Sequence, residues 1–371
     1  MKPRVLVAMS GGVDSSVAAA ILREQGYDVV GVAMRLAPEP SPLATTAPIA
    51  KRRGTCCSHD DFEDARRVAE RMDFPFYVID LRADFAARVV DNFVSEYLGG
   101  RTPNPCVMCN REIKFDRLWS RARALNADYV ATGHYARIVQ GADGRFHLLR
   151  AADDAKDQSY FLFTLGQDEL ARTIFPLGAM TKTEVRARAR ALGLATADKP
   201  ESQEICFVPD GDYASFVERR SDSAQLRPGS IVDSDGRRLA DHAGVHRFTV
   251  GQRRGLGIAS GERLYVREIR AESGEVVAGR RDQLDSSGLI ANRVSLVDDS
   301  LASSGELSVE VKIRYRHRAI PATMRVDSGH RAEIRFATGG GPAVTPGQAC
   351  VFYRGDEVLG GGFIERALEV G

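Results

Sequence analysis

A short apolar run, a turn of six small residues and a helical pattern follow one another at the start of this chain: residues 5–9, then Ser10-Gly11-Gly12-Val13-Asp14-Ser15, then the stretch from Val17 onward. So tight a turn joins a strand directly to a helix, and the first N–H groups of that helix have no intrahelical carbonyl to bind. They face whatever occupies the turn and favour an anion there. Gly11 and Gly12 let a phosphate approach the backbone without a Cβ in the way, and the hydroxyls of Ser10 and Ser15 add donors. Asp14 is out of place beside a polyphosphate unless a cation intervenes, which predicts Mg²⁺ at that carboxylate. The spacing matches neither the Gly-x-x-x-x-Gly-Lys-Ser/Thr of kinase-type loops nor the Gly-x-Gly-x-x-Gly of dinucleotide folds, so hydride transfer and ordinary γ-phosphate hydrolysis both lose ground.

The same rhythm continues downstream. Strand patterns at 4–9, 28–34 and 76–81 alternate with helical ones at 16–25 and 60–72; further helices are expected at 83–98 and 112–125 and a strand at 129–133. Alternation of this kind predicts βαβ units and an α/β domain built on a doubly wound parallel sheet. Thr181 and Glu184 form a capping-box pair and Gly193 stands at a helix C-terminus, which predicts a helix over 183–192 closing that domain. After Asp212 the texture changes to short alternating segments broken by Asp235-Gly236, Ser273-Gly274, Gly339-Gly340-Gly341 and Pro346-Gly347, the signature of small β-rich domains. The expected division is 1–212, 213–283 and 284–371, the last a β-barrel, in keeping with a length of 371 residues. Residues 37–54, rich in proline and ending near Lys51-Arg52-Arg53, read as a flexible loop on the substrate side. No run approaches the roughly 18–20 apolar residues of a membrane span, so a cytoplasmic protein with no membrane partner is expected. Net charge is +1, so only local charge can point to a nucleic acid.

Six cysteines are too sparse in such a chain for a disulfide scaffold. Cys106-Val107-Met108-Cys109 lies in a turn-rich stretch just ahead of a helix, where thiols are expected to be accessible and the positive helix end favours thiolate. Cys206 can meet them only through the fold. Cys350 reads as a small buried hydrophobe. Cys56 and Cys57, with His59, could supply half of a zinc site shared with Cys106 and Cys109. Lys312, Arg314, Arg316 and Arg318 alternate, and on a strand they would form one cationic face suited to phosphates, or simply a protected edge, with Ile313, Tyr315 and His317 pointing the other way.

Ser-Gly-Gly-x-Asp-Ser after a first strand resembles the loop of the ATP pyrophosphatases, which split ATP between the α- and β-phosphates. The chain as a whole resembles the tRNA-specific 2-thiouridylases. The blocks that carry the likeness are Ala8-Met9-Ser10-Gly11-Gly12-Val13-Asp14-Ser15, Thr102-Pro103-Asn104-Pro105 with Cys109-Asn110 and Ile113-Lys114-Phe115, Thr132-Gly133-His134-Tyr135-Ala136 and Lys156-Asp157-Gln158-Ser159-Tyr160-Phe161-Leu162. They continue with Ser202-Gln203, Ile205-Cys206-Phe207, the run from Phe248 to Gly257, Arg314-Tyr315-Arg316 and Pro346-Gly347-Gln348.

The resemblance implies a Rossmann-like adenine-nucleotide domain, a small central domain and a C-terminal β-barrel. It also implies an ATP-dependent sulfurtransferase that thiolates carbon 2 of the wobble uridine, position 34, of tRNAs such as those for Lys, Glu and Gln. By analogy Ala8 to Ser15, Met34 and Gly133 bind ATP with Mg²⁺, Cys109 is the nucleophile, and Cys206 carries a persulfide and ends in a disulfide with Cys109. Asn104, Pro105 and Cys106 would meet the target base, with His134, Lys156, Asp157 and Gln158 close by, and Arg314, Tyr315 and Gln348 would contact tRNA elsewhere. A stacked base must flip out to be modified. A cysteine desulfurase or a sulfur-relay protein is the implied donor.

The family's usual Asp-x-x-Cys is here Cys-x-x-Cys. Cys106, Cys109 and Cys206 therefore also match the ligand set with which related tRNA sulfurases hold a [4Fe–4S] cluster, and cluster and persulfide routes stand side by side. Two other classes remain in view. One is a different pyrophosphatase-loop enzyme, such as an amide-forming synthetase or a nucleobase synthase; the other is a non-catalytic tRNA-binding or sulfur-carrier protein.

Overall fold

The computed structural model describes residues 2–36, 59–200, 205–259, 261–338 and 340–370. The loop at 37–54, Cys56, Cys57 and Ser202-Gln203 lie outside the described residues. The chain divides into two compact units, one of residues 1–89 and 106–211, the other of residues 90–105 and 212–371.

The first unit is the α/β body. Strand β1 (Arg4–Ala8) leads through the small-residue turn into helix α1 (Val13–Glu24), which returns to β2 (Asp28–Arg35); α2 (His59–Arg71) precedes β3 (Phe76–Asp80). With β4 (Tyr129–Ala131) and a two-residue strand at Thr173–Ile174, these form a parallel sheet in the order β3, β2, β1, β4, Thr173–Ile174. Val5, Leu6, Val7, Val17, Ala18 and Leu22 are fully buried, so β1 is covered on both faces as a central parallel strand must be. The chain turns one way from β1 to β2 and the other way to β4. That reversal opens a crevice at the carboxyl ends of β1 and β4, the place where open α/β sheets bind ligands.

The helix expected at 183–192 runs over Lys182–Ala191, with Thr181 accepting from the Glu184 N–H and the Glu184 carboxylate accepting from the Thr181 N–H. Gly193 has φ +63°, the left-handed end that the sequence called for. The helix expected at 112–125 begins earlier. Pro105–Cys109 is already α-helical, Asn110–Phe115 is a wider π-helical stretch, and Asp116–Ala124 is α-helical again. Proline is pre-organised for a first helical position, so the turn-rich reading ended about one helical turn too late.

The second unit holds a helix at Asp91–Leu98, a helix at Tyr213–Arg220 and two β structures. The smaller sheet orders its strands Tyr265–Arg270, Glu275–Gly279, Gly229–Val232 and Arg238–His242 around Ile231, Val266, Val276 and Phe248. The larger is a closed barrel of six strands: Gly288–Leu296, Ala332–Phe336, Ile320–Val326, Glu306–Lys312, Ala349–Arg354 and Glu357–Leu368, the last pairing back to the first. Its interior includes Val311, Met324, Ile334, Phe352 and Cys350, the last as buried as the sequence suggested. Burial pushes the Cys350 thiol up to about 12. No helix among the described residues is long and apolar enough to cross a membrane.

Candidate active site

Gly12 is the N-cap of α1 and has no side chain to cap with, so the opening turn of the helix presents its N–H groups to the loop. Gly11 adopts φ +70°, and a Cβ there would lie 2.1 Å from the Asp61 carbonyl oxygen. The residue must be glycine on both counts. The serines divide their work differently from expectation. Ser15 is buried, donates to the Gly12 carbonyl at 3.2 Å and accepts from the Ser10 N–H at 3.1 Å, so its proton serves the loop's own shape. Ser10 is exposed and keeps its hydroxyl at the loop surface.

Asp14 has a partner that the sequence did not reveal. The Lys182 ammonium donates to both carboxylate oxygens, at 2.8 and 2.7 Å, and the Tyr135 hydroxyl donates to Oδ1 at 2.7 Å. Lys182 is the first residue of its helix, and its side chain is 11% exposed. The cation that the sequence demanded beside Asp14 is thus supplied by the protein, and the carboxylate does not fit the role of a dedicated Mg²⁺ ligand. Gly133 follows β4 and abuts the same loop, where a Cβ would stand 2.8 Å from the Ser15 nitrogen. Met34, buried near the end of β2, completes the set at the carboxyl edge of the sheet. The structure therefore gathers the residues 8–15, Met34 and Gly133 along one edge.

A second lysine braces the loop from the other side. Lys199 donates to the Gly11 carbonyl at 3.1 Å, Asp61 Oδ1 at 2.6 Å and Asp64 Oδ2 at 2.6 Å. Burial works against the Lys199 charge, but the two carboxylates outweigh it and hold its pKa above the ordinary lysine value. Arg186, one turn into the helix of Lys182, donates to the carbonyls of Ala197 and Lys199 at 2.7 and 3.1 Å. The phosphate loop is thus held at Asp14 and at Gly11 by groups that trace back to one helix.

The thiols occupy contrasting environments. Cys106 is exposed on its helix, whereas Cys109, three residues on, is 8% exposed, contrary to the expected accessibility of both. The helix turns Val107, Met108, Cys109 and Asn110 inward, a consequence of helix starting at Pro105 rather than beyond Asn110. Cys206 is half-buried, and its neighbour Phe207 packs edge-on against Phe85 at 5.7 Å. Among the described residues, no three His, Cys, Asp or Glu side chains converge as metal ligands. The trio Cys106, Cys109 and Cys206 is not assembled for a [4Fe–4S] cluster, and no step is derived through one.

His134 is fully enclosed, stacked near Phe115 at 6.2 Å and Phe175 at 6.0 Å, with Nδ1 2.7 Å from Thr132 Oγ1. Burial, aided by the Lys114 charge, lowers its pKa to about 3, so the imidazole is neutral at any working pH. Asp157 and Gln158 turn their side chains to the protein. Asp157 accepts from the N–H groups of Ala151 and Ser159 and from the Ser159 hydroxyl, and Gln158 Oε1 accepts from the Tyr135 N–H at 3.0 Å. They shape the loop that carries Lys156.

In the second unit, the barrel strand ends at Lys312, and residues 313–318 turn instead of continuing. The expected cationic face of Lys312, Arg314, Arg316 and Arg318 does not form. Arg314 points inward, donating to the Ala343 carbonyl at 3.2 Å and Thr345 Oγ1 at 2.7 Å, and Tyr315 beside it is half-buried. Gln348 donates to the carbonyls of Thr102 and Pro103 at 3.0 and 3.3 Å, just ahead of half-buried Asn104 and buried Pro105.

Three family matches cover the chain: a tRNA methyl transferase HUP domain over residues 3–210, a tRNA methyl transferase PRC-barrel domain over 214–280 and an aminomethyltransferase beta-barrel domain over 286–364. The chain is 54% identical over 369 residues to a tRNA-specific 2-thiouridylase MnmA of Geotalea uraniireducens, covering 99% of this chain and 96% of that protein. It is 53% identical over 371 residues to the protein of the same name from Geobacter metallireducens, covering 100% of this chain and 99% of that one. A third, from Lachnoclostridium phytofermentans, is 48% identical over 363 residues, 97% of this chain and 99% of its own length.

Proposed function

The chain belongs to the tRNA-specific 2-thiouridylase family of sulfurtransferases, and we propose that it thiolates carbon 2 of the wobble uridine through an adenylated intermediate. The observation that carries this reading is the edge where the residues 8–15, Met34 and Gly133 meet, at the reversal point of a parallel sheet. ATP fits there with its phosphates on the N–H groups of Gly11 to Ser15. Lys182 and Lys199 brace the loop against carboxylates that would otherwise repel the nucleotide. Mg²⁺ would then travel with the phosphates of ATP, not on Asp14.

The chemistry balances as follows. The uracil O2 attacks the α-phosphorus, an O–P bond forms, and pyrophosphate departs. The terminal sulfur of a Cys206 persulfide attacks carbon 2, and AMP leaves with the former O2. The Cys109 thiolate then attacks the Cys206 sulfur, the S–S bond breaks with its electrons passing to the sulfur left on the base, and a Cys109–Cys206 disulfide remains for an external reductant to reset. His134, held neutral, serves by hydrogen bonding and packing and not by proton transfer. Asn104, Pro105 and Cys106 meet the flipped base, with Lys156 nearby, and Arg314 and Tyr315 belong to the wider RNA-binding surface. Cytoplasmic tRNAs for Lys, Glu and Gln are the proposed substrates, and a cysteine desulfurase or sulfur-relay protein is the donor.

Incubation with tRNA, ATP and a persulfide source should yield 2-thiouridine nucleosides by mass spectrometry, with AMP released in step. Cys109→Ser and Cys206→Ser should abolish the thionucleoside. Thiolation that survives both substitutions, or a stoichiometric iron–sulfur cluster in anaerobically purified protein, would overturn the persulfide scheme.

A further inference from the structure

We infer that Gln348 is a positioning residue for the nucleophile's helix, rather than a contact for RNA. Its amide NH₂ spends both donors on the carbonyls of Thr102 and Pro103. Because both partners are acceptors, only the NH₂ can face them, and that group has no proton left to offer a phosphate or base. The clamp is one of several on the same short turn. The Thr102 N–H donates to the Pro346 carbonyl at 2.8 Å, and Thr102 Oγ1 meets Thr249 Oγ1 at 3.3 Å. The Arg101 guanidinium reaches the Ile364 carbonyl at 3.1 Å, and the Ile364 N–H in turn donates to the Gln348 carbonyl at 2.8 Å.

Gly347 fits against the turn with no room to spare. It has φ +92°, and a Cβ would lie 2.9 Å from both the nitrogen and the oxygen of Thr102. The segment 90–105 therefore belongs to the unit that holds both β domains, yet at Pro105 it becomes the first residue of the helix bearing Cys106 and Cys109. The turn 102–104 sets where that helix starts and which way its thiols turn. Gln348, on the barrel, fixes the turn. The inference rests on the proposed role of Cys109 only for its effect on thiolation; the clamp itself can be read without it.

Gln348→Glu keeps the shape but turns acceptors toward two carbonyls, and Thr249→Val removes an independent tie. Three readouts separate the roles: the tRNA dissociation constant, the single-turnover thiolation rate at saturating tRNA, and hydrogen exchange over residues 102–109 without RNA. Both variants should leave tRNA affinity within about threefold, slow single-turnover thiolation by about tenfold or more, and speed exchange over 102–109. Weaker tRNA binding by about tenfold with an unchanged saturated rate and unchanged exchange would make Gln348 an RNA contact and overturn the inference. Unchanged values in all three would overturn it equally. If Cys109→Ser still thiolates, the role of Cys109 falls, while faster exchange in the Gln348 variant would still stand for the clamp.

Discussion

Replacing Lys182 by Met keeps the aliphatic stem and removes the ammonium from Asp14. The pair has two hydrogen bonds of 2.7 and 2.8 Å, with the lysine side chain 11% and the aspartate side chain 30% exposed. Breaking a fully buried pair costs about 3–5 kcal/mol, and an exposed one about 0–1. The partial exposure of Asp14, and the Tyr135 hydroxyl that stays behind, place this case near 2–3 kcal/mol. For a unit of this size that corresponds to a fall in melting temperature of roughly 5–10 °C. Trp119 is the single tryptophan and lies in the first unit, so its fluorescence follows the unfolding of that unit in denaturant. Asp14→Asn and the double variant complete a cycle, and the coupling energy should reach about 1.5 kcal/mol in the absence of nucleotide and metal. A coupling below about 0.5 kcal/mol, or one that emerges only when Mg²⁺ is added, would refute the reasoning and restore Asp14 as a metal ligand.

Gly133→Ala places a methyl 2.8 Å from the Ser15 nitrogen and 3.0 Å from the Asp14 carbonyl carbon, so the phosphate loop must shift; ATP affinity measured by calorimetry should fall by about tenfold or more. Lys199→Met leaves Asp61 and Asp64 uncompensated beside Gly11, so the KM for ATP should rise by about tenfold, and adding Asp61→Asn should recover part of it; equal KM values in the two variants would argue against a charge effect. His134 should make stability depend on acid. It is neutral in the folded chain down to about pH 3 but takes a proton near 6.5 when unfolded, so the unfolded state binds more protons in that window. Each pH unit below 6.5 should then cost up to about 1.4 kcal/mol, and His134→Asn should flatten that slope in denaturant titrations.

How much of this was legible in the sequence depended on how local the cause was. The strand, glycine turn and helix at residues 4–24, and the capping box at Thr181, are set by neighbours within a few positions, and both formed as read. So did the β-rich character of the C-terminal half, whose turns carry their own glycines. The stripe at 312–318 failed because alternation of charge is compatible with a strand but does not create one. Arg314 found acceptors at Ala343 and Thr345, and the backbone turned to let it reach them. Cys109 was misplaced outward because Pro105 starts the helix one turn early, and an added helical turn rotates a side chain from surface to core. The partners of Asp14 and Gly11 were invisible for a deeper reason: Lys182 and Lys199 stand 168 and 188 residues away, and a lysine at a helix start gives no local sign of what it will neutralise. Yet the need was readable. A carboxylate in a phosphate loop demanded a cation, and the error lay only in looking for it among metals. A charge that looks misplaced in sequence states a requirement, and the fold decides whether an ion or a side chain meets it.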